Sequence, residues 1–460
     1  MDLYIYNPDI ELQGVIDGYS SLRWRRRLFE PGEFELHCKA SPENLALLAE
    51  DNIIHRLDRD EAGIIEGITI ATADSGGDEI TATGRMGSSM LDQRIVTPTI
   101  NFTGTVEAAM RKSVSDNAIT ARPLPHLILG TQNLFDKSKI TDKGYYVAGG
   151  TGALTPNAPF CVSGYIPVVP NTQYYISNAN LNCAQYDASK NLLPNSWCVS
   201  GGDPGYVLTT LSAACYVRFS LPIANLDKVQ IELGSAETVW MPYHSAACTF
   251  QATYKTVLAV CEALGKAAPL GFRVRLDVPN KRWVFEVYDG IDRSAGQTVQ
   301  PQVVFCSENQ NIQKPSYARD STGYANYAIV GGEGDGAARI IVEVDQTGGA
   351  PRRELWVDAK DLQKGTLSDT DYQAQLRHRG VEKLAEAARS ESFNADAIDT
   401  GNYKYLTNWN LGDIVSFEKW GIRLDERITE VEEVDENGVV TITPTCGSPL
   451  PEALNLGDDS

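Results

Sequence analysis

The segment that decides the fold reads Pro125-His126-Leu127-Ile128-Leu129-Gly130 and continues as Thr131-Gln132-Asn133-Leu134. The composition of the chain changes at this point. The 117 residues 131–247 contain 6 Lys/Arg and 7 Asp/Glu, whereas the 343 residues on either side contain 34 and 53. The charged fraction is about 11 % inside this block and about 25 % outside it, a break typical of a domain boundary. The sequence therefore predicts an insert, residues 131–247, placed between a first arm, residues 1–130, and a second arm, residues 248–460.

Size and charge restrict the classes of function. With 460 residues the chain exceeds what one hydrophobic core usually organises, so we expect at least two compact units. The formal net charge is −20. Because phosphate binding needs clustered Lys and Arg, this balance argues against stable binding of nucleic acid or anionic lipid. The sequence shows neither a signal peptide pattern nor a run of about 18 apolar residues, so we predict synthesis in a cytoplasm and no membrane span.

Motifs for catalysis or metal binding are absent from the sequence. The 9 cysteines and 5 histidines do not show the paired spacing of a zinc site, and we interpret the cysteines as buried free thiols. There is no GxSxG, HExxH or Walker pattern. With 60 acidic residues, close carboxylates such as Asp58/Asp60/Glu61 and Glu430/Glu432/Glu433 are expected by chance, and we interpret them as a solvated face. We predict no catalytic residues, no metal and no cofactor.

A glycine-rich run, Gly331-Gly332-Glu333-Gly334-Asp335-Gly336, resembles a phosphate-binding loop. Such a loop needs a helix N-terminus behind it, and here an alternating strand pattern follows at 339–344. Two acidic side chains also lie within the run. We therefore interpret it as a link between strands.

Apolar periodicity predicts a β-rich α+β scaffold in the two arms. Clean alternation predicts a hairpin of strands at 272–277 and 282–287. Helical spacing predicts helices at 105–114, 254–266 and 369–390, the last capped by Ser368. Strands predicted at 413–418, 422–434 and 439–443 suggest that the second arm ends in a small β-barrel or sandwich.

The arginine-rich run Arg23-Trp24-Arg25-Arg26-Arg27 is the strongest basic feature of this acidic chain. Nucleic acid binding is one interpretation. In a strand, however, successive side chains alternate between faces, so the cluster does not form one basic surface. We favour Arg25, Arg26 and Arg27 as candidates for a salt-bridged contact with an acidic neighbouring subunit.

The sequences of both arms resemble those of siphophage tail proteins of the baseplate-hub, or tail-associated, type. In the first arm the resemblance is carried by MDLYIYNP (1–8), YSSLRW (19–24), PGEFEL (31–36), AGIIE (62–66), GR (84–85) and LDQRI (91–95). In the second arm it is carried by GFRV (271–274), VFEVYDG (284–290), VGGEGDG (330–336), RRELWVDA (352–359) and LGDIV (411–415). In that family, residues like 125–130 are expected to run on quickly into residues like 248–254.

The resemblance implies a scaffold of small β-barrel and α+β subdomains that assembles as a homotrimeric ring at the distal tip of the virion tail. Its partners would be the distal tail protein, the tail tube, and tip or fibre proteins. The family is structural, so no catalytic residues carry over. An acidic ring would also suit DNA passage without stable binding, because like charges repel within a Debye length of about 10 Å.

The insert shows strand and turn patterns with almost no helical periodicity, as in a β-sandwich. We predict strands at 159–167, 173–177, 182–186, 205–211, 215–221 and 228–233. The runs NLFD (133–136), YVRFS (216–220) and QIELGS (230–235) through Pro242-Tyr243 resemble jelly-roll modules of the carbohydrate-binding type. This resemblance implies binding of host-surface glycans.

Neutral sugars are held by aromatic faces and directed polar groups. Trp197 lies in a polar turn, and Tyr186 ends a strand. On the strand at 215–221, Tyr216 and Arg218 should lie on the face opposite Val217 and Phe219. We predict Trp197, Tyr186, Tyr216 and Arg218 as a recognition surface, with packing in the sandwich as the alternative.

Two other classes of function stay open on the sequence alone. One is a carbohydrate-active enzyme that uses the insert for targeting, and the other is an adhesin that works without tail partners. A hub would be a trimer and would release no reducing sugar from cell walls. An enzyme would release it, and an adhesin would bind cells without affinity for tube proteins.

Overall fold

The computed structural model describes residues 2–72, 76–147, 151–179, 182–196, 198–199, 205–398 and 403–447. The chain divides into two compact units. One unit, here called the two-arm unit, consists of Met1–Leu129 and Ala246–Ser460. The other consists of Gly130–Ser245, within two residues of the predicted insert at each end.

The first arm is mostly β-structure. Its strands are β1 (Leu3–Tyr6), β2 (Leu12–Ile16), β3 (Ser21–Arg27), β4 (Glu33–Lys39), β5 (Ile53–His55), β6 (Ala62–Thr72), β7 (Asp78–Met86), β8 (Ile100–Thr105) and β9 (Leu127–Leu129). Its helices are α1 (Pro42–Leu47) and α2 (Val106–Val114), and a π-helical turn, Ser115–Thr120, follows α2. Each α-helix begins at a side-chain cap, Ser41 or Thr105, which accepts a hydrogen bond from the backbone of its first turn.

The described part of the insert contains strands and no α-helix. The strands are β10 (Asp142–Val147), β11 (Leu154–Val162), β12 (Ile166–Pro167), β13 (Gln173–Ser177), β14 (Asn182–Tyr186), β15 (Cys198–Val199), β16 (Gly205–Thr209), β17 (Tyr216–Pro222) and β18 (Gln230–Leu233). One sheet has the order β10-β11-β17-β14-β15, with β12 also paired to β17, and the other has the order β16-β13-β18. Ile176, Val217, Phe219 and Ile231 lie in a common buried core to which both sheets contribute. The predicted two-sheet architecture of the insert is confirmed.

The second arm adds strands and two longer helices. The strands are β19 (Ala247–Ala252), β20 (Gly271–Asp277), β21 (Arg282–Tyr288), β22 (Val304–Cys306), β23 (Ile312–Asp320), β24 (Tyr327–Gly331), β25 (Ile341–Asp345), β26 (Glu354–Asp358), β27 (Ser390–Ala397), β28 (Ile414–Lys419), β29 (Ile422–Glu436) and β30 (Val439–Gly447). The helices are α3 (Val257–Ala267) and α4 (Asp369–Glu386). Ser368 caps α4 as predicted, and its hydroxyl accepts from the Asp371 amide at 3.1 Å.

The two arms pair with each other strand by strand. The largest sheet has the order β2-β1-β5-β6-β7-β4-β3-β29-β30-β27-β23, so it crosses from the first arm to the second where β3 meets β29. Strand β19 also pairs with β8, and β9 lies parallel to β21. A shared core contains Met110 and Val114 of α2 with Cys261 and Leu264 of α3. The arms therefore form one folded body.

The second arm does not end in the small barrel that the sequence predicted. Strand β29 spans 15 residues, pairing with β28 over its first part and with both β3 and β30 over its second. Because β3 occupies one edge of β29, the terminal strands extend the shared sheet. Across the described residues the strand pairings follow open paths, without barrel closure.

The interpretation of all cysteines as free thiols is also corrected. Cys183 is disulfide-bonded. In the β14–β15 register, Cys183 lies opposite Cys198, the closeness of backbone that a disulfide requires. The free cysteines among the described residues are Cys38, Cys161, Cys215, Cys248, Cys261, Cys306 and Cys446.

Glu262 on α3 gives the two-arm unit a pH-dependent element. Burial raises the pKa of Glu262 to about 7, with further contributions from Glu30 and Asp92, while Lys266 and Arg85 oppose the shift. An unfolded Glu titrates near 4.3. Since the pKa is raised in the folded state, the associated stability is present at low pH and is lost as the pH rises through about 7.

We expect Glu262→Gln to unfold at a higher urea midpoint than the wild type at pH 8, where the wild-type carboxyl is ionised. At pH 5 the two midpoints should differ much less. Urea unfolding at both pH values measures this, with the exposed Glu308→Gln as the matched control. A midpoint difference that does not depend on pH would contradict the assignment.

Candidate functional site

The glycine-rich run at 331–336 links two neighbouring strands, as predicted. It starts at the end of β24, and the chain returns as β25, which pairs antiparallel with β24. The amide of Glu333 donates to the Tyr372 hydroxyl at 2.8 Å, and the Arg339 Nε donates to the Gly332 carbonyl at 3.1 Å. The run is thus held by side chains of its own subdomain.

Arg25 and Arg27 form ion pairs within the chain. Arg25 Nη1 lies 2.6 Å from Glu33 Oε1, and its Nη2 lies 2.7 Å from Glu432 Oε1 on β29. Arg27 Nε lies 2.9 Å from Glu430 Oε2, also on β29. Both arginines therefore join the first arm to the second. Their predicted contact with a neighbouring subunit stays a prediction.

The prediction that Arg26 contacts a neighbouring subunit is corrected. Its side chain faces the interior and is only 4 % exposed, so it cannot serve as a surface contact for another subunit. Its guanidinium lies 2.6 Å from Glu61 Oε1 and donates to the Tyr405 hydroxyl at 2.7 Å. Burial alone would raise the pKa of Glu61, but Arg26 and Arg273 lower it, so this carboxyl is ionised inside the protein.

A second buried ion cluster lies at the same junction, and sequence reasoning missed it. Glu433 of β29 is 3 % exposed and accepts from Arg56 Nη2 at 3.2 Å and from Arg59 Nε at 2.8 Å. The solvated face expected for Glu61 and Glu433 is therefore wrong for these two residues. The alternation of acidic and basic side chains in the segment 56–61 is the sequence signal that could have indicated internal pairing.

In the insert, the predicted residues surround a tyrosine that sequence reasoning missed. The ring centroid of Tyr165 lies 5.0 Å from that of Tyr186 at an interplanar angle of 76°, and 6.1 Å from that of Tyr216 at 83°. Such edge-to-face geometry is favourable for aromatic pairs. Tyr186 and Tyr216 are direct cross-strand partners on β14 and β17. We call Tyr165, Tyr186 and Tyr216 the tyrosine cluster.

Arg218 lies beneath the tyrosine cluster instead of on its outer side. The residue is 7 % exposed, and its guanidinium carbon lies 4.9 Å from the Tyr165 ring centroid. Its Nη2 pairs with Asp142 Oδ2 at 2.8 Å, and its Nε donates to the Ser163 carbonyl at 3.0 Å. Because these partners satisfy it, Arg218 is placed to orient the Tyr165 ring.

The other predicted residues differ in position. Tyr186 is buried, at 4 % exposure, and burial raises its pKa. Tyr216 is partly exposed. Trp197 lies outside the described residues.

Lys190 joins the site although the sequence pattern did not indicate it. This exposed residue, in the turn after β14, places its ammonium 5.0 Å from the Tyr165 centroid and 5.6 Å from the Tyr216 centroid.

No other site chemistry stands out in the part of the chain that the structure describes. Within those residues, no group of three His, Cys, Asp or Glu side chains is placed to hold a metal ion. The helices there are also too short or too polar to cross a membrane.

Comparison with solved structures gives phage-tail and secretion-system proteins. The tail protein from Neisseria meningitidis MC58 is 10 % identical with a TM-score of 0.46, and the match covers 97 % of this chain and 96 % of that one. The 43 kDa tail protein of prophage MuSo2 from Shewanella oneidensis is 10 % identical with a TM-score of 0.47, covering 98 % and 99 %. The E. coli c3393 protein, a type VI secretion component described as similar to T4 tail proteins gp27 and gp5, is 9 % identical with a TM-score of 0.36, covering 98 % and 77 %. No curated protein matches the chain in sequence.

A family model supplies the decisive comparison. The model described as Siphovirus ReqiPepy6 Gp37-like protein matches residues 2–144 and 187–448. We expected the family resemblance to be interrupted over the whole of 131–247, but between the two matched segments only 145–186 is unmatched. The match includes both arms and well over half of the chain. The protein thus belongs to the Siphovirus ReqiPepy6 Gp37-like family.

Proposed function

We propose that this protein forms the baseplate hub ring that closes the distal end of a siphophage tail tube. The observation that carries the proposal is the family match across both arms, which pair as one body through β3 and β29. In this proposal residues 1–130 and 248–460 are the hub scaffold. It works as a homotrimer at the tail tip and contacts the distal tail protein, the tube, and tip or fibre proteins.

The charge of the chain supports a passage role for the ring. A surplus of 20 negative charges disfavours lasting contact with DNA phosphates. In the assembled ring, acidic side chains at the lumen would let the genome pass without binding. A cryo-EM map of the particle that shows a lumen lined mainly by Lys and Arg would contradict this part of the proposal.

Light scattering tests the assembly. We expect the purified chain to have a mass three times its 50.3 kDa, and to release no reducing sugar from bacterial cell walls, because the proposed role is structural. A monomer that hydrolyses cell-wall glycans would contradict both parts. As the matched control, the distal tail protein is measured alone and then mixed with this chain. It should bind to the trimer without replacing one of its subunits.

We further propose that the insert, residues 131–247, is a jelly-roll domain that binds host-surface glycans. The tyrosine cluster supports this, because Tyr165 and Tyr216 are both partly exposed and lie edge to face. Arg218, which packs on the Tyr165 ring, is held by a partly buried ion pair with Asp142. Trp197 is proposed to contribute a further aromatic face.

Truncation of one aromatic ring tests the binding role. We expect Tyr216→Ala and Trp197→Ala each to weaken binding to host cell walls about 2- to 12-fold, the range for loss of one aromatic contact. Pull-down of the full chain on purified walls measures it. The control is Tyr175→Ala on β13, in the other sheet of the insert, and equal binding by all variants would refute the assignment.

A further inference from the structure

We propose that the tyrosine cluster recognises an anionic saccharide, and that Lys190 pairs with the carboxylate or phosphate group of that ligand. The inference rests on the proposed glycan binding of the insert and names the ligand class of the same site. It concerns a residue that lies outside the sequence-predicted recognition surface.

Lys190 is exposed and has no carboxylate partner within the part of the chain that the structure describes. Its Nζ lies over the rings of Tyr165 and Tyr216, and no Asp or Glu of the described residues forms an ion pair with it. Three other cations of the insert are paired: Arg218 with Asp142, Lys137 with Asp227 and Lys139 with Asp136. Among the described residues, the Lys190 ammonium therefore has no carboxylate counter-charge at the place where a ligand would contact the rings.

Hydrogen bonds close the turn that carries Lys190 and fix the position of its backbone. Asp187 Oδ1 accepts from the amides of Ser189 and Asn191, each at 2.9 Å. The Asp187 amide donates to the Asn191 carbonyl, and the Lys190 amide donates to the Asp187 carbonyl, each at 3.0 Å. Lys190 itself has a φ of 63°, a left-handed conformation that Gly or Asn adopts more readily than Lys. The hydrogen-bonded turn thus holds the backbone from which the Lys190 side chain extends.

The insert repels an anion less than the strongly acidic arms do. The block 131–247 has a net charge of −1, from 6 basic and 7 acidic residues, whereas the arms together carry −19. Asp187, the acidic residue of the Lys190 turn, already accepts hydrogen bonds from backbone amides, which lower its pKa. An anionic saccharide would thus meet less repulsion at the insert than at the arms, and a direct attraction from Lys190.

The ligand class follows from the combination of groups. Partly exposed tyrosine edges and faces suit the C–H surface of a pyranose. The ammonium, 5.0 Å from one ring centroid and 5.6 Å from the other, suits a negative group attached to that sugar. A uronic acid supplies a carboxylate, and a teichoic-acid type polymer supplies a phosphodiester. Both sources present a negative charge to Lys190.

A saccharide panel separates these possibilities. The full chain is titrated against neutral, uronate-bearing and phosphate-bearing oligosaccharides, and against the uronate set after reduction of its carboxyl groups. We expect an anionic set to bind better than the neutral and reduced sets, and better at low than at high salt. The set that binds identifies carboxylate or phosphate as the source.

Substitution of the lysine completes the test. We expect Lys190→Ala to weaken binding of the anionic set about 3- to 10-fold, and Lys190→Arg to retain most of it. The exposed Lys228→Ala in the same insert is the matched control and should bind as the wild type does. Equal binding of native and carboxyl-reduced uronates, with no phosphate preference, would overturn the anionic ligand and leave glycan binding intact. Failure to bind any set would overturn both.

Discussion

Replacement of Glu433 by alanine is expected to lower the free energy of unfolding of the two-arm unit by about 3 kcal/mol. Glu433 is 3 % exposed and holds Arg56 and Arg59 of the first arm from its place on β29. Without it these guanidinium groups lose a buried counter-charge, which is the costly step in breaking such pairs. We place the loss at the lower end of the usual range because Asp58 still contacts Arg56 at 3.1 Å.

Urea unfolding followed by tryptophan fluorescence measures this change. The control lies on the same strand, where Glu436 is exposed and has no ion pair among the described residues. Its replacement by alanine should change stability by less than about 0.5 kcal/mol. If Glu433→Ala and Glu436→Ala unfolded at the same midpoint, the ion cluster would not join the arms as we describe.

Phe417→Ala should destabilise the second arm by about 3–5 kcal/mol, the usual cost of truncating a buried aromatic residue. The ring is fully buried, and its centroid lies 4.8 Å from that of Phe305 and 4.6 Å from that of Phe393. Removal of the ring opens a cavity between these neighbours, and a close-packed core fills such a cavity only in part.

The matched control is a large aromatic residue close by in sequence. Trp420 is 59 % exposed and contacts only the periphery of the same core, with its centroid 6.1 Å from that of Phe393. Its replacement by alanine should cost less than about 1 kcal/mol. Comparable losses for Phe417→Ala and Trp420→Ala in urea unfolding would mean that this core is not packed as described.

Much of the local structure could be predicted from the sequence because the relevant signals are themselves local. The hairpin at 272–277 and 282–287 and the cap of α4 at Ser368 arise from neighbours within a few residues. The strands predicted at 173–177 and 182–186 coincide with β13 and β14. Helix α4 ends at Glu386, earlier than the predicted 390, because Ser390 begins a strand instead.

The candidate site could be predicted only in part. Cross-strand pairing brings Tyr186 and Tyr216 together, as their inclusion in one surface required. Period-two alternation placed Arg218 opposite the apolar face of β17, but it could not show that Asp142 and Ser163 would cover it. Tyr165 and Lys190 carry no distinctive pattern, and they join the cluster through loops whose path depends on the packing of both sheets.

The sequence by itself determined where the composition of the chain changes, where many of the strands lie, and that the arms are rich in both acidic and basic residues. Composition and short-range periodicity are enough for these properties. Only the tertiary structure decided which charges are buried. Arg25 contacts Glu432 across 407 residues of chain, and Glu433 meets Arg56 across 377. Spacing cannot reveal such partners, because desolvation of a charge depends on which distant strand becomes its neighbour.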